Sequence, residues 1–353
     1  MKNHAGRQTM TEAIDKTGLI PAGARVPPRL RRIGICISAN MSLSSALLAC
    51  EPLRSVNRFY QQPAYALVFI GPERAPVRSG IGIEVAPTHT FDDDDELDMV
   101  VVVAAYDQPA AYKKALHRFL RRHARRGVDL CGVDFGAILM AEAGLLDGHR
   151  ATTHWEVMPA VVDRFPRVEF CDDVFVIDGK RLTCGGHLSC NDLFLAVVEQ
   201  QQGAKIARFV AADIIYGSAR PGETRQSNPL SWDPTIRNPH LRHAVDLMEE
   251  NIEAPLPVPE IARETGVSLR QLQLLSQQHF GQTLSSRYLD IRLDAARHLL
   301  MYGEMPITEI VAATGFTSAS TFSRAFRRRF RTTAREYRKA FVSRMARPYF
   351  TER

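Results

Sequence analysis

The chain has 353 residues, 45% of them hydrophobic and 24% charged, with a formal net charge of +6. Those totals are ordinary for a soluble globular protein and leave room for two domains. No run approaches the ~18 uninterrupted apolar residues a membrane helix needs, and the opening MKNHAGRQTMTEAIDKTG lacks the apolar centre of a secretory signal. Six cysteines without framework spacing fit a reduced, cytoplasmic setting better than a disulfide scaffold.

Residues 1–30 read as a disordered leader. From 31 to 217 short apolar runs alternate with helical patterns. Arg32–Ser38, Ala66–Ile70, Leu97–Ala105 and Val128–Asp134 read as buried strands; Leu43–Tyr60, Ala110–Arg125 and Gly136–Leu146 read as helices. Val- and Ile-rich strands alternating with helices predict a parallel sheet covered on both faces, an α/β sandwich. VFVID and KRLTCGG flank Asp178-Gly179, a turn pair suited to a hairpin.

The most informative segment here is CGVDFGAILMAEAGLLDGHRATTHW, Cys131–Trp155. A strand ends at Val133, Asp134 follows, and Phe135-Gly136 open an Ala-rich helix. Such a strand-to-helix turn with small neighbours exposes one side chain at the carboxyl edge of the sheet, where open α/β sheets bind ligands and nucleophile elbows sit. Cys131 lies three positions upstream, inside the strand. His154 and Trp155 follow the elbow helix, and an indole beside a carboxylate suits a quaternary ammonium, by an attraction of about 0.5–2 kcal/mol. Glu51 adds a second acid near the end of the first crossover. Asp134 as a simple helix cap is the plainer reading. The remaining cysteines lack metal-ligand spacing, and no cofactor is expected.

Residues 218–238, dense in Pro, Ser, Asn and Arg, read as a linker. Beyond them the pattern is helical. In VPEIARETGVSLRQLQLLSQQHFG (Val258–Gly281) Pro259 opens one short helix, Gly266 breaks it, and Ser268 caps the next. Leu269, Leu272, Leu275 and Phe280 form the apolar stripe. Arg270, Gln271 and Gln273 remain to hydrogen-bond base edges. The pattern returns about fifty residues later in the unit 306–330, where Gly315 breaks the first helix and Thr317 or Ser318 caps the second. Phe322, Ala325, Phe326 and Phe330 face inward; Ala319, Ser320, Ser323, Arg324 and Arg327 face outward. Two helix pairs in one register predict a tandem helix-turn-helix domain over 239–341, its units 258–281 and 306–330, with a tail from 342 to 353. Between them Leu284–Gly303 keeps helical spacing and can hold two reading helices in successive major grooves. From Gly315 to Arg347 there are ten Lys or Arg and one acid, Glu336, the electrostatic footprint of a polyphosphate partner.

EIARETGVSLRQLQ, RLDAARHLL and EIVAATGFTSASTFSRAFRRRF resemble the AraC/XylS DNA-binding domain over about residues 239–341. One departure is Leu274, where that family commonly carries Arg or Lys. The turn around Asp134, AEAGLLDGHRATTHW and RFPRVEFCDDVFVIDGKRLTCGG resemble a PfpI-like domain over residues 31–217, which implies a flavodoxin-like, class I glutamine-amidotransferase-like fold. Enzymes of that superfamily carry cysteine at the elbow. Asp134 there, with CEPLRSVNRFY (Cys50–Tyr60), resembles the subgroup of AraC-linked regulators that sense betaine, carnitine, arginine and related amines. The resemblance implies a sequence-specific, DNA-binding transcription regulator, a homodimer working with RNA polymerase. Its effector would be a cationic amine bound without catalysis by Asp134, Glu51, His154 and Trp155. The alternative is a PfpI-like enzyme with an accessory DNA-binding domain.

Overall fold

The computed structural model describes residues 29–60, 62–105, 108–226, 235–302 and 305–345. They fall into two compact units, one of 29–154 with 165–226 and one of 155–164 with 235–345. The expected leader up to residue 28, part of the linker and the end of the tail lie outside the described residues.

The first unit is built on a seven-stranded sheet. In chain order its elements begin β1 (Arg31–Ile37), α1 (Leu43–Val56), β2 (Tyr65–Gly71), β3 (Val77–Arg78), β4 (Glu84–Val85), β5 (His89–Thr90) and β6 (Met99–Ala104). Then come α2 (Ala110–Arg125), β7 (Asp129–Asp134), α3 (Gly136–Glu142) and β8 (Arg150–Ala151). After the 155–164 segment follow β9 (Glu169–Phe170), β10 (Phe175–Asp178), β11 (Arg181–Cys184), α5 (Leu188–Gln202) and α6 (Ala204–Asp213). The strand order is β10-β11-β7-β6-β1-β2-β5, with every pair parallel except the β10–β11 hairpin. All six residues of β6 are buried, as a central parallel strand covered on both faces requires. Two apolar clusters result. Ile33, Ile35 and Ile37 pack with α1 and α5 on one face; Val100 and Val102 pack with Leu116, Phe119 and Leu120 of α2 on the other.

Two helices stop sooner than their apolar spacing suggests. The one expected to reach Tyr60 ends at Val56, because Asn57 takes the Ala64 and Tyr65 amides on Oδ1 and donates Nδ2 to the Tyr65 carbonyl. The one expected to reach Leu146 ends at Glu142, before Gly144 at φ 69°. The run from Ser218, expected as linker, is held to the first unit as far as Gln226. Arg220 pairs with the fully buried Asp192 at 2.7 Å, and Gln226 Nε2 donates to Thr152 Oγ1 and to the carbonyls of Thr153 and Asp173.

The second unit is helical: a 3-10 turn (Trp155–Val157), α4 (Met158–Arg164), α7 (Pro239–Glu250), α8 (Val258–Glu264), α9 (Leu269–Phe280), α10 (Leu284–Tyr302), α11 (Ile307–Ala313), α12 (Ala319–Phe330) and α13 (Ala334–Met345). It has two cores. Leu241, Val245, Met248, Ile261 and Leu272 form one with Leu284, Tyr288 and Ile291; Ile310, Phe322 and Phe326 form the other with Leu293, Leu299 and Leu300. Helix α10 therefore serves both, its first half filling one core and its second half the other. Arg292, between the halves, donates to the Thr314 and Gly315 carbonyls and lies over the Phe316 ring. A Cβ at Gly315 would fall 2.5 Å from the Ile252 carbonyl oxygen, so only glycine fits that turn. Among the described residues no helix is long and apolar enough to cross a membrane.

Candidate functional site

Strand β7 delivers Asp134 to the carboxyl edge of the sheet, level with Ala104 at the end of β6 and one residue beyond the Val133–Cys184 pair of β7 and β11. Its backbone is at φ 59°, a left-handed conformation uncommon for a residue other than glycine. The glycines two positions to either side make that turn feasible. A Cβ at Gly132 would fall 2.6 Å from the Ala137 nitrogen, and one at Gly136 only 2.0 Å from the Val102 carbonyl oxygen. Gly132-Val133-Asp134-Phe135-Gly136 is thus an elbow in geometry as well as in sequence. A non-glycine residue held in a sparsely populated conformation points to function rather than to stability.

Asp134 itself is buried, 6% exposed. Thr153 Oγ1 donates to the Asp134 carbonyl at 2.9 Å, which fixes the elbow to the segment that leads from β8 into His154. Gly186, in the turn after β11, lies directly against the Asp134 side chain: a Cβ there would be 2.9 Å from Asp134 Cβ and 3.1 Å from Oδ2. The His154 ring is 6.2 Å from that of His187. His187 Nδ1 is 3.1 Å from Ser44 Oγ, near the start of α1. One carboxylate, two imidazoles and a serine hydroxyl therefore gather at one end of β7, β11 and α1. Neither His187 nor Ser44 stands out in the sequence, because only the fold brings Ser44 to His187 and sets the glycine before His187 against Asp134.

Cys131 does not reach this edge. It is wholly buried in β7, and burial pushes its thiol well above the usual range, with Cys184 adding to the effect. A thiol so held is a poor nucleophile. Glu51 is seven residues beyond Ser44 on α1, about 10 Å along the helix axis. It is half-buried and its carboxylate pairs with Arg54 at 2.7 Å. Trp155 belongs to the second unit. There its ring lies 5.7 Å from that of His298 of α10, while His298 Nδ1 donates to the Glu156 carbonyl at 2.8 Å. Among the described residues no group of three or more His, Cys, Asp or Glu is placed to hold a metal ion.

The helical unit presents the second site. Ser268 and Ser318 cap α9 and α12 by accepting from the amides three residues on, Gln271 and Thr321. Each pair of helices meets at a positive-φ glycine, Gly266 or Gly315. Arg270 and Gln271 on α9 are exposed, as are Ala319, Ser320, Ser323, Arg324 and Arg327 on α12. Gln273 differs: it is half-buried, and its Oε1 accepts from the Leu284 amide at 3.3 Å, tying α9 to the start of α10. Leu274 beside it is 56% exposed. The basic stripe is not uniform either. Arg329 turns back to Asp290 and Asp294 of α10, both at 2.5 Å, and Arg338 donates to the Met305 carbonyl. Arg324, Arg327, Arg328, Arg331 and Arg335 remain exposed; the side chains of Arg344 and Arg347 lie outside the described residues.

Residues 43–200 match the DJ-1/PfpI family and residues 261–340 a helix-turn-helix domain family. The HTH-type transcriptional regulator CdhR of Pseudomonas aeruginosa is 35% identical over 289 residues, 82% of this chain and 86% of that protein. The HTH-type transcriptional regulator GlxA of Rhizobium meliloti is 35% identical over 306 residues, 86% of this chain and 94% of its own length. A narrower similarity, 32% over 149 residues, links 41% of this chain to 64% of an isonitrile hydratase from Pseudomonas putida.

Proposed function

The chain belongs to the HTH-type transcriptional regulators that join a DJ-1/PfpI domain to an AraC-type helix-turn-helix domain, and we propose that its first unit, residues 31–217, binds a small cationic amine at Asp134 and catalyses nothing. Its helical domain binds DNA and regulates transcription, as the family does. The single observation that carries the effector reading is the buried carboxylate at φ 59° on the elbow, where a covalent enzyme needs a nucleophile. A carboxylate cannot take the part of a thiolate, but it pairs well with an ammonium or guanidinium group. The deep burial of Cys131 disfavours the enzyme reading.

Connectivity supports a route from effector to DNA. The chain leaves the first unit at His154 and again at Gln226. Both exits adjoin Thr153: His154 follows it, and Gln226 donates to its carbonyl. Thr153 in turn donates to the Asp134 carbonyl. An effector that binds one arrangement of this elbow better than another shifts the population of both exits. In this proposal the regulator acts in the cytoplasm, where its DNA lies. It forms a homodimer through the first unit, to read paired sites, and works with RNA polymerase. On the helical side, residues 239–341, the base-reading set is Arg270 and Gln271 on α9 and Ser320, Ser323, Arg324 and Arg327 on α12, with Ala319 in van der Waals reach of a thymine methyl.

Titration calorimetry of the wild type and Asp134→Asn with betaine, carnitine and arginine tests the effector reading. The substitution keeps the shape and removes the charge. At least one amine should bind the wild type and lose tenfold or more in affinity to the variant. Equal binding by both proteins overturns the proposal.

A further inference from the structure

The two helix-turn-helix units repeat within one helical domain, so residues at matching positions can be compared directly. Helices α9 and α12 both have 12 residues, a serine N-cap whose side chain accepts the amide three residues on, and a left-handed residue at the end. Ser268 therefore matches Ser318, and each residue of α9 has its counterpart fifty positions later. The inward faces agree: Leu272 and Ser276 are buried, as are Phe322 and Phe326. The outward faces do not. Arg324, Arg327, Arg328 and Arg331 correspond to Leu274, Gln277, Gln278 and Gly281, and α9 carries Arg270 as its one lysine or arginine. Leu274, 56% exposed, stands where α12 has Arg324. From Leu272 to Ser276 it is the one exposed residue, since Gln273 is turned to the Leu284 amide and Leu275 is half-buried. A single exposed leucine is ordinary on a protein surface. This one occupies the middle of a reading face, in line with Arg270 and Gln277 at helical spacing.

We propose that Leu274 sets the base preference of the first helix-turn-helix unit, by apolar contact with the 5-methyl group of a thymine in the major groove. This rests on the reading of α9 and α12 as the base-reading helices and adds a residue to that set. A leucine side chain neither donates nor accepts a hydrogen bond, and the thymine methyl is the one apolar group that a base pair offers in the major groove. Against a G·C pair the same leucine would cover polar base edges and leave them without water or partner, which costs free energy. The contact therefore favours thymine twice, by burying the methyl and by penalising the alternative. The two units divide the work. The arginines of α12 supply hydrogen bonds and attraction to phosphate, and α9 supplies a methyl-dependent preference with little charge.

The test uses the full-length protein and a DNA site that it selects from random sequence. Each thymine of the site is replaced in turn by deoxyuridine, which lacks only the methyl group, and binding is followed by fluorescence anisotropy. One replacement should weaken the wild type by about fourfold, the worth of one buried methyl group. It should weaken Arg324→Ala by the same factor and leave Leu274→Ala unaffected. Leu274 is exposed, so Leu274→Ala should keep the thermal midpoint of the wild type and its affinity for scrambled DNA. Leu274→Arg should bind scrambled DNA more tightly than the wild type, with a dependence on salt steeper by about one counterion. A wild type indifferent to every replacement, or a Leu274→Ala that loses the same factor as the wild type at each of them, overturns the assignment of Leu274 and leaves the rest of the base-reading set standing. A Leu274→Arg without any gain on scrambled DNA places this position away from the duplex and overturns it equally. If no sequence is enriched over random DNA, the base-reading assignment fails as a whole and this proposal with it.

Discussion

At the scale of single residues, two side chains have consequences that a solution measurement can read. Arg324 is exposed on α12 between Ser323 and the buried Phe326. An arginine there can reach guanine O6 and N7 with two donors. Arg324→Ala should weaken binding to the target DNA by about 1–3 kcal/mol and to scrambled DNA far less; equal losses on both would make Arg324 a phosphate anchor. Glu249, on α7, is the other. Burial, with Asp246 next in effect, pushes its carboxyl up to about 8, and among the described residues Oε1 has no hydrogen-bond partner. Its folded pKa is raised above the unfolded value, so between about pH 4.5 and 8 the native state holds a proton that the unfolded state has lost. Stability therefore falls as pH rises through that window. Glu249→Gln should match the wild type near pH 4.5 and exceed it at pH 8 by about 1 kcal/mol or more, one pKa unit corresponding to about 1.4 kcal/mol. Denaturant midpoints at the two pH values check this, and a constant difference would assign the effect to packing.

At the scale of elements, the repeat in the second unit is the most legible feature of the sequence. Ser268 and Ser318 hold the same cap, and Gly281 and Arg331 the same left-handed position at the end of α9 and α12, with φ 67° and 60°. Arg331 is the strained member of that pair. Arg331→Gly should raise the urea midpoint, a gain of about 0.5–1 kcal/mol from relief of a left-handed side chain; a lower midpoint would mean that Arg331 makes contacts worth more than its strain. The sheet was legible for a similar reason: buried Val and Ile runs alternate with amphipathic helices, and Asp178-Gly179 marks the β10–β11 hairpin. Helix α5 left no such trace. Ser189 to Leu195 are all buried, so no polar face alternates with an apolar one. The segment 155–164 was opaque too, because its membership of the second unit depends on packing against α10, far away in sequence. Asp134 could be read from its neighbours Gly132 and Gly136. His187 could not, since only the fold brings Ser44 to it.

At the scale of the whole molecule, a buried elbow carboxylate and a tandem DNA reader belong to one chain, and the account ties them together. Neither site has a purpose in regulation unless the first alters the second. A ligand can shift that equilibrium only by the difference in its affinity for the two states, and by linkage DNA must then alter the affinity for the ligand by the same factor. The most direct measurement is the affinity of the full-length protein for a DNA site selected from random sequence, by fluorescence anisotropy, with and without a saturating amine that calorimetry has shown to bind. The account predicts that the amine changes the DNA affinity of the wild type by fivefold or more, in either direction, and leaves that of Asp134→Asn unchanged at the same concentration. An identical shift in both proteins, or none in the wild type, would contradict it.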